Sequence, residues 1–286
     1  MPATGFALLV ILAALWGGSF VFMRVAVPAL GPIPLAYVRV ALAAMLLLAI
    51  ALAQRKIPPF RTRWPQFLVL GIVNSAIPFV LFCYAEQYIS ASAGAVLNAT
   101  SPFFAVIAGA IWLAQPATPA KLAGIALGLA GVIVLVGWQP GTPSEHLLVA
   151  VGACLVAAIC YALAGVYVKR VLSDLPSMQI ACASQVAAAI ALMPLLPFVT
   201  VPGPVTFVVA ANVLGLAIGS TAIAYLIYFK LIADVGPQRA LTVTFLIPLF
   251  GVLWGALFLD EPLTRNLLAG GALVVAGTIV TVRAKG

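Results

Sequence analysis

Ten apolar segments, each about 20 residues long, follow one another along the chain with only short polar breaks between them. A helix rising ~1.5 Å per residue needs about that length to cross the hydrocarbon core of a bilayer. Proline, glycine and charge clusters mark the breaks. They place the spans at roughly 5–27, 34–53, 64–85, 91–114, 119–137, 147–169, 176–199, 205–230, 237–259 and 265–283. The pattern predicts an all-α integral membrane protein. Connecting segments such as 54–63 and 138–145 are too short for a soluble domain, which argues against an attached signalling module or ATPase. The first span starts at Phe6 without a basic region before it, so a cleaved signal peptide is not expected.

Composition agrees. The chain is 65% hydrophobic and 7% charged, against about a quarter charged in soluble domains. A net charge of +8 could suggest nucleic acid, but the basic residues stand singly or in small groups between apolar runs. They read instead as topology signals. With both termini in the cytoplasm, Arg55, Lys56, Arg61, Arg63, Lys121, Lys169, Arg170, Lys230, Arg239, Arg283 and Lys285 fall inside, and only Arg24, Arg39 and Arg265 outside. That bias predicts N-in and C-in.

A shift of 146 positions lays one half of the chain over the other without a gap. Over 102–136 and 248–282, 18 of 35 positions are identical. The matches include Pro102/Pro248, Gly109/Gly255, Pro116/Pro262, Gly124/Gly270 and Gly131/Gly277. Prolines and glycines shape backbone, so their agreement reports shared structure and not shared composition. The same shift pairs Arg24 with Arg170, and Asn74–Ser75 with Ser220–Thr221. Residues 1–140 and 147–286 are thus expected to be two five-helix repeats. Five is odd, so the second copy must enter the membrane from the other side. Inverted repeats are a known construction of secondary transporters.

The repeated pattern is a mid-helix proline, Gly-Ala, an acidic-Pro-Leu-Thr turn, then Ala-Gly and a glycine-rich final helix. It resembles the EamA repeat of the drug/metabolite transporter superfamily. The second copy matches through Pro248, Gly255, Asp260-Glu261-Pro262, Gly270 and Gly277, while the first has Gln115 at the acidic position. The opening Leu15-Trp16-Gly17-Gly18-Ser19-Phe20 is similar to the start of the family's first repeat. The resemblance covers nearly the whole chain. It implies a ten-helix exporter of metabolites in the bacterial inner membrane, with YddG-type amino-acid exporters among the members it looks like.

Little in the chain suits catalysis. It has no Walker A loop, a single histidine (His146), and four cysteines scattered through apolar segments without ligand spacing. No catalytic residue, metal or other cofactor is expected. A transporter instead needs a cavity near the midplane, lined by groups that replace water around a polar solute. The candidate substrate-binding residues are Trp16, Ser19, Asn74, Ser75, Tyr84, Asn98, Thr100, Tyr161, Thr221, Tyr225, Tyr228 and Thr244. Pro102 and Pro248 are candidate hinges, since each removes a backbone hydrogen bond inside a span. Arg24 and Arg39 read as snorkelling cations at outer span ends, leaving no charge at any span centre. That predicts export of a neutral or zwitterionic metabolite, an amino acid foremost, by alternating access. The alternatives are an exchanger of nucleotide-linked or phosphorylated solutes, which would want a cation in the cavity, and a channel. The expected partners are a small-molecule substrate and the lipid bilayer, not nucleic acid. The oligomeric state is left open and a monomer is compatible.

Overall fold

The computed structural model describes residues 3–137, 145–236, 240 and 242–284. Within these the chain is all-helical. The first half comprises α1 (Ala3–Leu30), α2 (Pro32–Ala53), α3 (Phe60–Ala85), α4 (Ala91–Leu113) and α5 (Pro119–Val136). The second comprises α6 (Glu145–Val171), α7 (Ser177–Phe198), α8 (Phe207–Val235), α9 (Val243–Leu259) and α10 (Arg265–Arg283). All but α9 are long and apolar enough to cross a membrane, and α9 has 17 described residues. The expected start of the ninth span, at 237, lies outside the described residues. Large apolar side chains face outward, Phe198 at 85% and Phe207 at 88% exposure, as lipid-facing residues do.

The helix irregularities recur at the 146-residue spacing. α3 carries a π-helical stretch at Ile72–Ala76 and α8 one at Gly215–Ile223. They hold the aligned polar pairs Asn74–Ser75 and Ser220–Thr221. α4 and α9 each end on a left-handed residue, Ala114 and Asp260, both with φ 52°. The next residue's N–H reaches back across the turn, Gln115 to the Gly109 carbonyl and Glu261 to that of Gly255. Six-residue closures of this kind satisfy orphan carbonyls at a helix end.

Packing repeats as well. α1 packs on α9 as α6 does on α4, α2 on α8 as α7 on α3, and α1 on α8 as α6 on α3. The remaining major pairs, α2–α7, α4–α9 and α5–α10, join equivalent helices. Exchanging the halves therefore maps these packings onto themselves. The tightest crossing is α5–α10. A Cβ on Gly131 would lie 2.7 Å from the Gly270 carbonyl oxygen, and one on Gly277 2.5 Å from that of Gly124. Only glycine lets two backbones approach so closely, and in lipid such contact replaces the missing hydrophobic drive between helices.

Candidate functional site

α1 lies at the middle of the bundle, touching α2, α3, α4, α8 and α9. Its Gly17 permits this: a Cβ there would meet the Gly251 nitrogen at 2.8 Å and the Ile247 carbonyl oxygen at 2.9 Å on α9. Beside that crossing lies a cavity of about 310 Å³. α1 supplies Trp16, Ser19, Phe20 and Met23, and α2 supplies Arg39. Asn74, Phe79 and Phe82 come from α3, Asn98, Ser101 and Pro102 from α4, and Tyr161 from α6. α8 and α9 complete the wall with Ser220, Thr221, Tyr225, Tyr228, Val243, Thr244 and Ile247. Seven helices from both halves thus share one site; α5, α7 and α10 do not line it.

The sequence-selected residues sort into two groups. Trp16, Ser19, Asn74, Asn98, Tyr161, Thr221, Tyr225, Tyr228 and Thr244 line the cavity. Ser75, Tyr84 and Thr100 do not. Ser75 is sealed between α3 and α7, where it meets Ser184 Oγ at 3.0 Å and accepts from Gln185 Nε2 at 2.9 Å. Tyr84 sits at the end of α3 with its ring 5.2 Å from that of Tyr88. Thr100 donates to the Leu97 carbonyl at 2.7 Å, the local bond a buried hydroxyl finds most readily. Trp254 on α9 donates to the Ala14 carbonyl of α1 at 3.0 Å.

The two prolines act on the wall through carbonyls. Neither Pro102 nor Pro248 can donate to the carbonyl four residues earlier, which belongs to Asn98 or Thr244, both on the cavity. Ser101 Oγ compensates at Asn98, donating to that carbonyl at 2.8 Å. The surroundings then diverge. α4 breaks between Asn98 and Ser101, putting Pro102 in the first turn of the resumed helix, whereas α9 runs unbroken through Pro248.

The residue the sequence reading misplaced is Arg39. It was expected at an outer helix end, but α2 begins at Pro32, so Arg39 lies about two turns inside. It is 6% exposed and lines the cavity. Its Nε donates to Thr221 Oγ1 at 2.9 Å, and its Nη1 approaches Met23 Sδ at 3.7 Å. Its guanidinium carbon lies 3.6 Å from the Phe79 ring centroid, a cation–π contact. Thr221 in turn donates to the Leu216 carbonyl at 2.9 Å, five residues back, a reach set by the π-helical stretch. A signal was present: the 146-residue shift aligns Arg39 with Gln185, a polar residue in the middle of the seventh span.

Glu86 is a second buried charge, in the turn after α3. Arg24 Nη1 donates to its backbone carbonyl, not its carboxylate. Neither carboxylate oxygen has a partner among the described residues. Burial, and then the Glu261 carboxylate, push its pKa well above the usual carboxylate range, with Arg24 opposing. Glu261 itself is well held, accepting from the backbone N–H groups of Ala91 (2.7 Å) and Ser92 (2.9 Å) at the start of α4.

The EamA-like transporter family model matches this chain twice, over residues 3–137 and 148–283. An uncharacterized transporter of Archaeoglobus fulgidus is 28% identical over 94% of this chain and 95% of its own length. A "probable amino-acid metabolite efflux pump" of Escherichia coli K12 is 27% identical over 96% of this chain and 93% of its own. A solved crystal structure at 20% identity has the same fold, with a TM-score of 0.69 over 98% of this chain and 96% of that one.

Proposed function

We propose that this chain, which belongs to the EamA-like transporter family, exports small metabolites, amino acids foremost, across the cytoplasmic membrane by alternating access. The observation that carries this reading is the cavity beside the α1–α9 crossing, walled by polar and aromatic side chains from seven helices of both halves. Its volume of about 310 Å³ is at the lower end of the ~300–1,000 Å³ of small-molecule pockets, a size for metabolites. The name of the Escherichia coli relative favours amino acids as cargo.

The mechanism follows from the repeats. Residues 1–140 and 147–286 are five-helix units whose packings exchange onto one another. With five spans in each, the second is inverted, and the basic residues favour both termini inside. One unit packed two ways yields two states of similar energy, open to opposite sides, around a fixed site. The helices of the α1–α9 and α4–α6 crossings would be the moving elements, with Asn98 and Thr244, four residues before the two prolines, on the wall they form.

The test is counterflow and efflux of individual amino acids from proteoliposomes, paired with growth rescue of an exporter-deficient strain. Saturable counterflow without single-channel current is expected. A steady ionic or solute conductance that does not saturate would favour a channel and overturn the reading. An exchanger of phosphorylated solutes would need a cation in the cavity, which Arg39 supplies. Among the described residues Arg39 is the one cation on the wall, and a single guanidinium suits a mono-anion better than a phosphate dianion.

A further inference from the structure

The fold makes one hydrogen bond twice, and with different chemistry each time. Where α2 crosses α8, Arg39 Nε donates to Thr221 Oγ1 at 2.9 Å. At the equivalent crossing of α7 and α3, Gln185 Nε2 donates to Ser75 Oγ, also at 2.9 Å. Arg39 aligns with Gln185 and Thr221 with Ser75 at the 146-residue spacing. The scaffold is satisfied by a neutral amide at one crossing, so it does not itself require a guanidinium at the other.

The two crossings also differ in what they face. Gln185 and Ser75 are fully buried and do not line the cavity, whereas Arg39 and Thr221 form part of its wall. Taking a guanidinium out of water costs several kcal/mol unless it is paired. Yet among the described residues no Asp or Glu lines the cavity. Among the described residues Arg39 has Thr221, Met23 and the Phe79 ring as partners. A fixed positive charge therefore stands in a low-dielectric, ligand-sized space, on a guanidinium with more N–H donors than the Thr221 and Met23 contacts engage.

We infer that Arg39 is the substrate's carboxylate receptor, so that the cargo carries a carboxylate held against α2 while its remainder packs among Trp16, Tyr161 and Tyr228. Arginine presents a planar fork that fits a carboxylate through two parallel N–H···O bonds. Thr221 and Phe79 fix the plane of that fork from two sides. The neutral Asn74 and Asn98 amides on the wall can serve an ammonium or hydroxyl group, and the asymmetric charge gives the cargo one orientation in a nearly symmetric frame. The inference rests on the proposed transport reading and goes beyond it by naming the recognised group.

The test uses purified protein in nanodiscs, with binding followed by intrinsic fluorescence and by thermal shift. The probes are L-leucine, L-phenylalanine and L-threonine, their amides, 4-methyl-2-oxopentanoate and glycerol 3-phosphate. The wild type should bind acids and not amides. Arg39→Lys keeps the charge but loses the fork and should weaken binding about 10-fold, and Arg39→Gln about 100-fold, with acid and amide then treated alike. Thr221→Val keeps the charge and should weaken binding several-fold. Gel filtration reports folding, and if Arg39→Gln does not fold, the Lys and Val variants decide. Wild-type protein that takes amides as well as acids, or variants that bind leucine unchanged, would overturn the carboxylate assignment while leaving export intact. Arg39-dependent binding of the oxo acid without any amino acid would sink the amino-acid reading and keep the receptor. Preference for glycerol 3-phosphate would overturn the assignment in favour of phosphate recognition, and no binding by any probe would sink both.

Discussion

The α2–α8 and α7–α3 crossings share a backbone plan and differ in purpose. Both place a long polar side chain of one helix against a hydroxyl on the π-helical stretch of the other. In the α7–α3 crossing Ser75, Ser184 and Gln185 are buried and do not line the cavity, and the cluster reaches the wall only through Asn74, whose Nδ2 meets Ser75 and Ser184 at 3.3 Å each, and through Tyr225, which hydrogen-bonds with Asn74 and Ser75. In the α2–α8 crossing the group opens onto the cavity. The halves thus supply two equivalent frames, of which one puts its polar pair on the cavity wall and the other buries it. Phe79 and Phe82 against their aligned Tyr225 and Tyr228 show the same divergence, apolar in one half and hydroxylated in the other, although all four reach the cavity.

The largest effect should come from forcing the buried frame to imitate the wall. Gln185→Arg would bury a guanidinium where the side chain is 0% exposed and no cavity admits a counter-ion. An uncompensated buried charge costs about 3–5 kcal/mol, so the variant should lose most folded protein by fluorescence-detected gel filtration. Gln185→Leu should fold, since it also removes an amide oxygen that lacks a partner. If Gln185→Arg accumulated and melted like wild type, the two crossings would not differ as described. Next comes the α5–α10 pair, where the halves have not diverged. Gly277→Val would drive its Cβ to 2.5 Å from the Gly124 carbonyl oxygen and 2.6 Å from the Gly128 nitrogen. Overpacking of this kind costs about 1–3 kcal/mol. The melting midpoint should fall while the folded fraction keeps its substrate affinity, because neither helix touches the cavity; an altered affinity would contradict that separation.

Legibility in the sequence followed the same division. What both halves retain left a trace in the sequence: the aligned Gly124/Gly270 and Gly131/Gly277 of the α5–α10 crossing and the left-handed residues at 114 and 260 lie in the stretch with 18 of 35 identities, although the sequence reading took them only as shared backbone features. Single-sequence reading failed where the halves differ or where burial decides. Arg39 was misjudged because α2 was read as starting at 34 and not 32, which moved the guanidinium to an apparent helix end. Ser75 and Thr100 were included because a hydroxyl in an apolar span looks the same whether it faces a cavity, another helix or its own backbone. Only packing separates these cases. The π-helical stretches left a trace only in their aligned polar pairs, since an i→i+5 register is stabilised by neighbours and not by local propensity.

Pro102 and Pro248 sharpen the comparison on kinetic ground. Pro102 occupies a first turn, where a missing N–H costs nothing, and Ser101 already serves the Asn98 carbonyl. Pro248 interrupts the hydrogen-bond ladder of an unbroken helix. If these prolines are hinges, Pro248→Ala should slow turnover about several-fold by restoring a bond to the Thr244 carbonyl, and Pro102→Ala should do less. Stopped-flow efflux beside equilibrium binding separates rate from affinity. A Pro248→Ala protein that folds normally and exports at full rate would remove α9 from the list of hinges.

The smallest effect concerns Glu86, whose burial contrasts with that of Arg39 in having no ligand-sized space to resolve it. The groups facing it are Arg24 from α1, Cys83 from α3, Cys154 from α6 and Glu261 from the turn after α9. With its folded pKa raised, the folded protein holds a proton at pH values where the unfolded chain, near ~4.3, has released it. The stabilisation is therefore fully present below about pH 4.3 and is lost as pH rises toward the raised folded pKa. The melting midpoint in detergent should fall as pH is raised from 5 through 8. Glu86→Gln, which mimics the protonated form, should flatten that slope and melt higher at pH 8. Arg24→Gln, which removes the one nearby charge favouring the carboxylate, should steepen it. A Glu86→Gln profile parallel to that of wild type would mean that the carboxylate is already solvated or paired, and the burial of the turn after α3 would then have to open in solution.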